Sequence, residues 1–113
     1  MDKNSLMQNV SNISNVQGTM LSKKDGLLVE NRTSGFEDPN MLGAVLSSMY
    51  TEVDSKSKRM QRGKPVRFTI ETETDVLSVS DVNVEGENLL LLAHLSPNND
   101  LDLVNSSLDL LKG

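Results

Sequence analysis

Residues 89–95 read LLLLAHL, apolar at odd and even positions alike. A strand with one face in water alternates apolar and polar side chains, because successive residues point to opposite sides of a sheet. This run does not alternate, so as a strand it needs cover on both faces and a place in the middle of a sheet. It is also much too short to span a bilayer. A chain of 113 residues has room for one core built around such a strand.

The remaining elements can be placed around it. Leu6, Val10 and Ile13, flanked by Met7, predict a short amphipathic helix over residues 3–14. Two short strands follow, over 18–22 and 27–31, joined through Asp25-Gly26, a strong hairpin signal because Gly tolerates the positive φ of the turn. A loop with Gly35 and Pro39 leads to a helix over 40–58, with Asp38 or Asn40 as its cap. Strands are predicted over 66–71, 76–82 and 89–95, the last two separated by a turn at 85–88. The last helix carries a stripe of Leu101, Val104, Leu108 and Leu111, capped by Asn98 or Asn99, with Asp100 and Asp102 at its dipole-favoured end. The order is helix, two strands, helix, three strands, helix. It predicts an α+β sandwich in which a five-stranded antiparallel sheet carries helices on both faces, as one domain over residues 1–113.

The helix over 40–58 and the strand after it carry the most information. Met41, Leu42, Val45, Leu46, Met49 and Val53 form a broad apolar face expected against the core. Gly43, Ala44, Ser47 and Ser48 form a second face of small side chains, where a neighbouring helix can approach closely. In the strand, Val66, Phe68 and Ile70 alternate with Arg67, Thr69 and Glu71, and Pro65 just before it points to a sheet edge.

Composition and motifs narrow the chemistry. A net charge of -5 disfavours nucleic acid and anionic membrane as partners, and three aromatic residues offer no base-stacking platform. Without cysteine there is no disulfide, thiolate metal site or thiol nucleophile. The polar start, MDKNSLMQNVSNISNV, is unlike a signal peptide, and a cytoplasmic location is expected. The Gly63-Lys64 pair runs into Pro65 and does not complete a phosphate loop. His94 is the single histidine and is expected to be a hydrogen-bonded structural residue. Glu71, Glu73 and Asp75 read as a solvated turn. No catalytic, cofactor-binding or metal-ligating set emerges, so a non-enzymatic protein without a cofactor is expected.

Against the acidic background, Lys56, Lys58, Arg59, Arg62, Lys64 and Arg67 follow one another with no acid between them. Two readings are open. One is a solvated helix end whose cations complement the carbonyl dipole, and the other is a patch that steers an acidic partner surface.

Residues 18–31, GTMLSKKDGLLVEN, resemble the opening hairpin of the Roadblock/dynein light-chain family. Residues 88–104, NLLLLAHLSPNNDLDLV, are similar to its hydrophobic strand, polar loop and last helix. The resemblance implies a profilin-like sheet of order 2-1-5-4-3, with the first and last helices on one face and the central helix on the other. It also implies a homodimer, or a heterodimer with a paralogue. In it the 66–71 strands pair through Val66, Phe68 and Ile70, and the central helices meet near Gly43, Ala44, Ser47 and Ser48. The family role implies a scaffold or regulator of a small Ras-like GTPase or a motor complex, with Lys56, Arg59 and Arg62 as candidate partner contacts. The competing expectation is a profilin- or PAS-like ligand-sensing module with a pocket between sheet and helix.

Overall fold

Asp25-Gly26 makes the first turn as its chemistry requires. Gly26 has φ +99°, Asp25 Oδ1 accepts a hydrogen bond from the Leu27 N–H at 3.0 Å, and the Lys23 and Leu27 backbones are paired at 2.8 Å. The computed structural model describes residues 1–97 and 101–111. Over that range the chain forms α1 (Lys3–Ser11), β1 (Val16–Lys23), β2 (Leu28–Arg32), α2 (Pro39–Arg59), β3 (Arg67–Glu71), β4 (Val76–Val84), β5 (Glu87–Leu95) and α3 (Leu101–Leu111). The expected caps Asn98 and Asn99, with Asp100, lie outside the described residues.

The five strands form one antiparallel sheet of order β2-β1-β5-β4-β3. The apolar run is therefore central, as its lack of alternation requires. Leu89, Leu91, Ala93 and Leu95 point to one side, where α1 and α3 supply Leu6, Met7, Val10, Val104 and Leu108. Leu90 and Leu92 point to the other, where Met20, Leu77 and Val79 meet Leu46 and Tyr50 of α2. The core is two aliphatic slabs separated by the sheet.

Several boundaries differ from expectation. α1 stops at Ser11, short of Ile13, and the chain turns through Asn15 at φ +73° to enter β1. Glu85 and Gly86 alone make the β4–β5 turn, both at positive φ, so Glu87 and Asn88 join β5. β4 is buried on both faces, because Ser78 and Ser80 lie under the α1–α3 layer. Ser80 Oγ takes a hydrogen bond from Arg67 Nε at 2.9 Å, which makes burial of its hydroxyl affordable.

Asp38 caps α2, accepting from the Met41 N–H at 3.1 Å, with Pro39 in the first turn. The inward face of this helix is a correction to the periodicity argument. Gly43, Leu46, Ser47 and Tyr50 are its buried residues, whereas Met41 is 60% and Val45 47% exposed. The reason is steric. α2 crosses the β1–β2 hairpin so closely that a Cβ on Gly43 would stand 3.3 Å from Gly26 O, and one on Gly26 would stand 3.2 Å from Ala44 Cα. Small side chains go where the backbone approaches, and Met41 and Val45 are turned to the outside.

Candidate interaction surface

Among the described residues β3 pairs only with β4, so its other side is a free sheet edge. Phe68 and Ile70 are half-buried against the α2 slab, and Val66, just ahead of the strand, is 59% exposed. Three apolar side chains along an unpaired edge are an association-prone arrangement. On the same side of the sheet, the outward stripe of α2 comprises Met41, Ala44, Val45, Ser48, Glu52, Ser55 and Arg59, all exposed.

The four small residues of the sequence argument are thus divided between two directions. Ala44 and Ser48 face outward. Gly43 and Ser47 face the protein's own hairpin, where Ser47 Oγ donates to Lys24 O. An interface on this helix would use Ala44 and Ser48 together with Met41 and Val45, with Gly43 and Ser47 lying beneath it.

The basic run is mostly paired. Lys56 lies 4.0 Å from Glu52, Lys58 2.9 Å from Asp54, Lys64 2.8 Å from Asp81, and Arg67 2.8 Å from Asp109 of α3. Among the described residues, Arg59 and Arg62 form no ion pair, and both are exposed where α2 ends. The candidates Lys56, Arg59 and Arg62 are therefore at the surface, as is Lys64, whereas Arg67 is largely covered.

The strongest electrostatic feature was not singled out from the sequence. Asp81 of β4 receives Lys24 on Oδ1 at 3.1 Å, Lys64 on Oδ2 at 2.8 Å, and the Tyr50 hydroxyl proton on Oδ2 at 3.1 Å. Lys24 also stands 5.0 Å from the centre of the Tyr50 ring. Burial pushes the Asp81 carboxyl up, but the bonds from Lys64, Lys24 and Tyr50 outweigh it and hold the group below the usual carboxylate range. Burial first, and then the bond to Asp81, push the Tyr50 hydroxyl well above the usual phenol range. An acid on a strand face otherwise holding Leu77 and Val79 was the available signal, but its partners are distant in sequence.

At the other end of β5, His94 Nε2 lies 2.8 Å from Asp75 Oδ1, and its ring meets Phe36 edge-on at 5.1 Å. The hydrogen bond from Thr74 and then that of His94 hold the Asp75 carboxyl below its usual range. His94 is thus a bonded residue, as expected, and Glu71 and Glu73 are exposed around the same turn. Among the described residues no group of three His, Cys, Asp or Glu side chains is placed to hold a metal ion, and no helix is long and apolar enough to cross a membrane. A hollow lined by Leu6, Val82, Val84 and Leu111 lies at the α1–α3 side of the sheet.

A sheet in this order, with α2 on one face and α1 and α3 on the other, is a profilin-like fold of the Roadblock type. The chain is similar to Myxococcus xanthus MglB, with a TM-score of 0.84 at 16% identity over 96% of this chain and 87% of that one. It is similar to a Roadblock/LC7 domain from Streptomyces avermitilis, with a TM-score of 0.79 at 19% identity over 99% of this chain and 92% of that one. Profilin II of Acanthamoeba castellanii shares the fold more loosely, with a TM-score of 0.63 at 11% identity over 99% of this chain and 94% of that one. No protein-family model and no curated protein matches the chain.

Proposed function

We propose that this chain is a cytoplasmic, non-enzymatic scaffold or regulator, a single domain over residues 1–113. It works as a dimer, with itself or a paralogue, that binds a small Ras-like GTPase or a motor complex and modulates its activity or location. The observation that carries this reading is a free β3 edge whose apolar side chains point to the same face of the sheet that α2 covers. The edge offers unpaired backbone groups and half-buried Phe68 and Ile70, and the helix offers Met41, Ala44, Val45 and Ser48. Pairing two such edges about a two-fold axis extends the sheet and brings the two α2 helices together. Likeness in fold to MglB and to a Roadblock/LC7 domain supports the regulatory role.

The exposed end of α2, with Lys56, Arg59 and Arg62, is the partner-facing rim in this reading, and it steers an acidic surface toward the paired helices. A change in GTP hydrolysis would come from positioning the GTPase's own residues.

The test is sedimentation of the purified chain, followed by titration with Ras-like GTPases loaded with GDP or a GTP analogue. A dimer that binds one nucleotide state in preference is expected. A folded monomer at micromolar concentration would overturn the edge-pairing part. A dimer that ignores every GTPase in both states would overturn the partner.

A further inference from the structure

Beside the Asp81 cluster lies a solvent-open cleft lined by Lys24, Tyr50, Thr51, Asp54, Lys58 and Lys64. Its three lysines come from three separate parts of the chain: the β1–β2 turn, α2, and the loop between α2 and β3. Three ammonium groups face two carboxylates, Asp54 and Asp81, which leaves one net positive charge in a chain that is otherwise acidic. The Asp81 side chain is only 11% exposed, whereas those of Lys58 and Lys64 are 67% and 57% exposed. Asp54, which lines the cleft, is 26% exposed and Lys24 30%, so both carboxylates lie deeper than the Lys58 and Lys64 ammoniums at the mouth. Each ammonium has three N–H donors and commits one to its carboxylate, so donors remain on all three lysines. The Tyr50 hydroxyl is already given to Asp81, and the Thr51 hydroxyl to Ser47 O at 3.0 Å, so neither competes for those donors.

We propose that this cleft binds a phosphate group, held by Lys24, Lys58 and Lys64. A tetrahedral phosphate presents an oxygen to each ammonium, which a two-oxygen carboxylate does not, and Lys binds phosphate as a point charge without a fixed fork. Occupancy ties the end of α2 and the loop before β3 to the β1–β2 turn, so it stiffens the approach to the sheet edge. The inference rests on the cleft alone and stands independently of the proposed GTPase partner.

The experiment titrates the 113-residue chain with inorganic phosphate, O-phosphoserine, sulfate and acetate at constant ionic strength, following backbone amide shifts by NMR. Saturable shifts at Lys24, Thr51, Lys58 and Lys64 are expected with phosphate and not with acetate. Tighter saturation by inorganic phosphate supports a free ion, and tighter saturation by O-phosphoserine supports a phosphorylated side chain; both support the site. Lys58→Gln, which leaves the Asp81 cluster untouched, should weaken phosphate about tenfold, as loss of one charge-assisted contact does. Lys64→Gln should act in the same direction. Lys3→Gln removes the same charge outside the cleft, on α1, and should change affinity less than about twofold. No saturation, equal response to acetate, or equal loss in Lys3→Gln and Lys58→Gln would each overturn the proposal.

Discussion

Tyr50 on α2 gives its hydroxyl proton to Asp81 on β4 at 3.1 Å, across the slab between helix and sheet. The bond fastens the helix that carries the exposed stripe to the strand that supports the free edge. It does so beside two lysine ammoniums, so the carboxylate is charged, part-buried and satisfied on both oxygens.

Tyr50 is the single tyrosine, so phenolate absorbance near 295 nm reports it alone. Burial and the bond to Asp81 raise its pKa, and the native midpoint should lie well above the value of about 10 found in unfolded chains. The raised pKa favours the fold below pH 10, and that contribution declines as the pH rises and the unfolded chain ionises first. Asp81→Asn should move the midpoint back toward 10. An ordinary native midpoint in the wild-type chain would contradict the buried bond.

Asp81 titrates in the opposite sense. Its native pKa lies below the unfolded value of about 3.9, so its contribution is complete above that pH and is lost as the pH falls through the native value. Stability measured by urea unfolding should therefore fall on acidification below about pH 4. Asp81→Asn should flatten part of that limb and cost about 2 kcal/mol at neutral pH by leaving Lys24 and Lys64 without their counter-charge.

The two directions of the small residues on α2 separate folding from assembly. Ser47→Arg forces a long side chain between helix and hairpin and should destabilise the chain by about 3 kcal/mol, read from the denaturation midpoint. Val45→Arg changes an outward position and should leave the circular dichroism spectrum of the folded chain unchanged. If α2 lies at a two-fold contact, Val45→Arg should halve the mass seen by light scattering. A Val45→Arg chain that stays dimeric would move the contact off this helix.

Gly26→Ala tests the approach of helix to hairpin. The residue combines φ +99° with a Cβ position 3.2 Å from Ala44 Cα, so the substitution meets both backbone strain and a close contact. A loss of about 1 kcal/mol or more is expected, seen as a fall of roughly 4 °C or more in Tm. Gly35→Ala, also at positive φ but with open space around it, should cost less.

Most of the fold was legible because it depends on local chemistry. The Asp25-Gly26 turn, the Asp38-Pro39 helix start and the unbroken apolar strand around Leu92 each announce themselves within a few residues. The candidate surface was only half legible. Pro65 marked the edge strand, but helical periodicity alone assigned Met41 and Val45 to the core. Periodicity reports which residues share a face; it does not report how near the neighbouring backbone comes. Gly43 and Ser47 are inside because α2 lies almost on the hairpin, a fact of packing between segments about 20 residues apart.

The sequence by itself determined the element order and the central place of residues 89–95, since these follow from patterning and residue type. Only the tertiary structure decided which stripe of α2 faces outward and that Lys24, Tyr50, Lys64 and Asp81 form one cluster. Those outcomes depend on strand register and interlayer distance, which bring remote residues within a hydrogen bond of each other and leave no trace in local spacing.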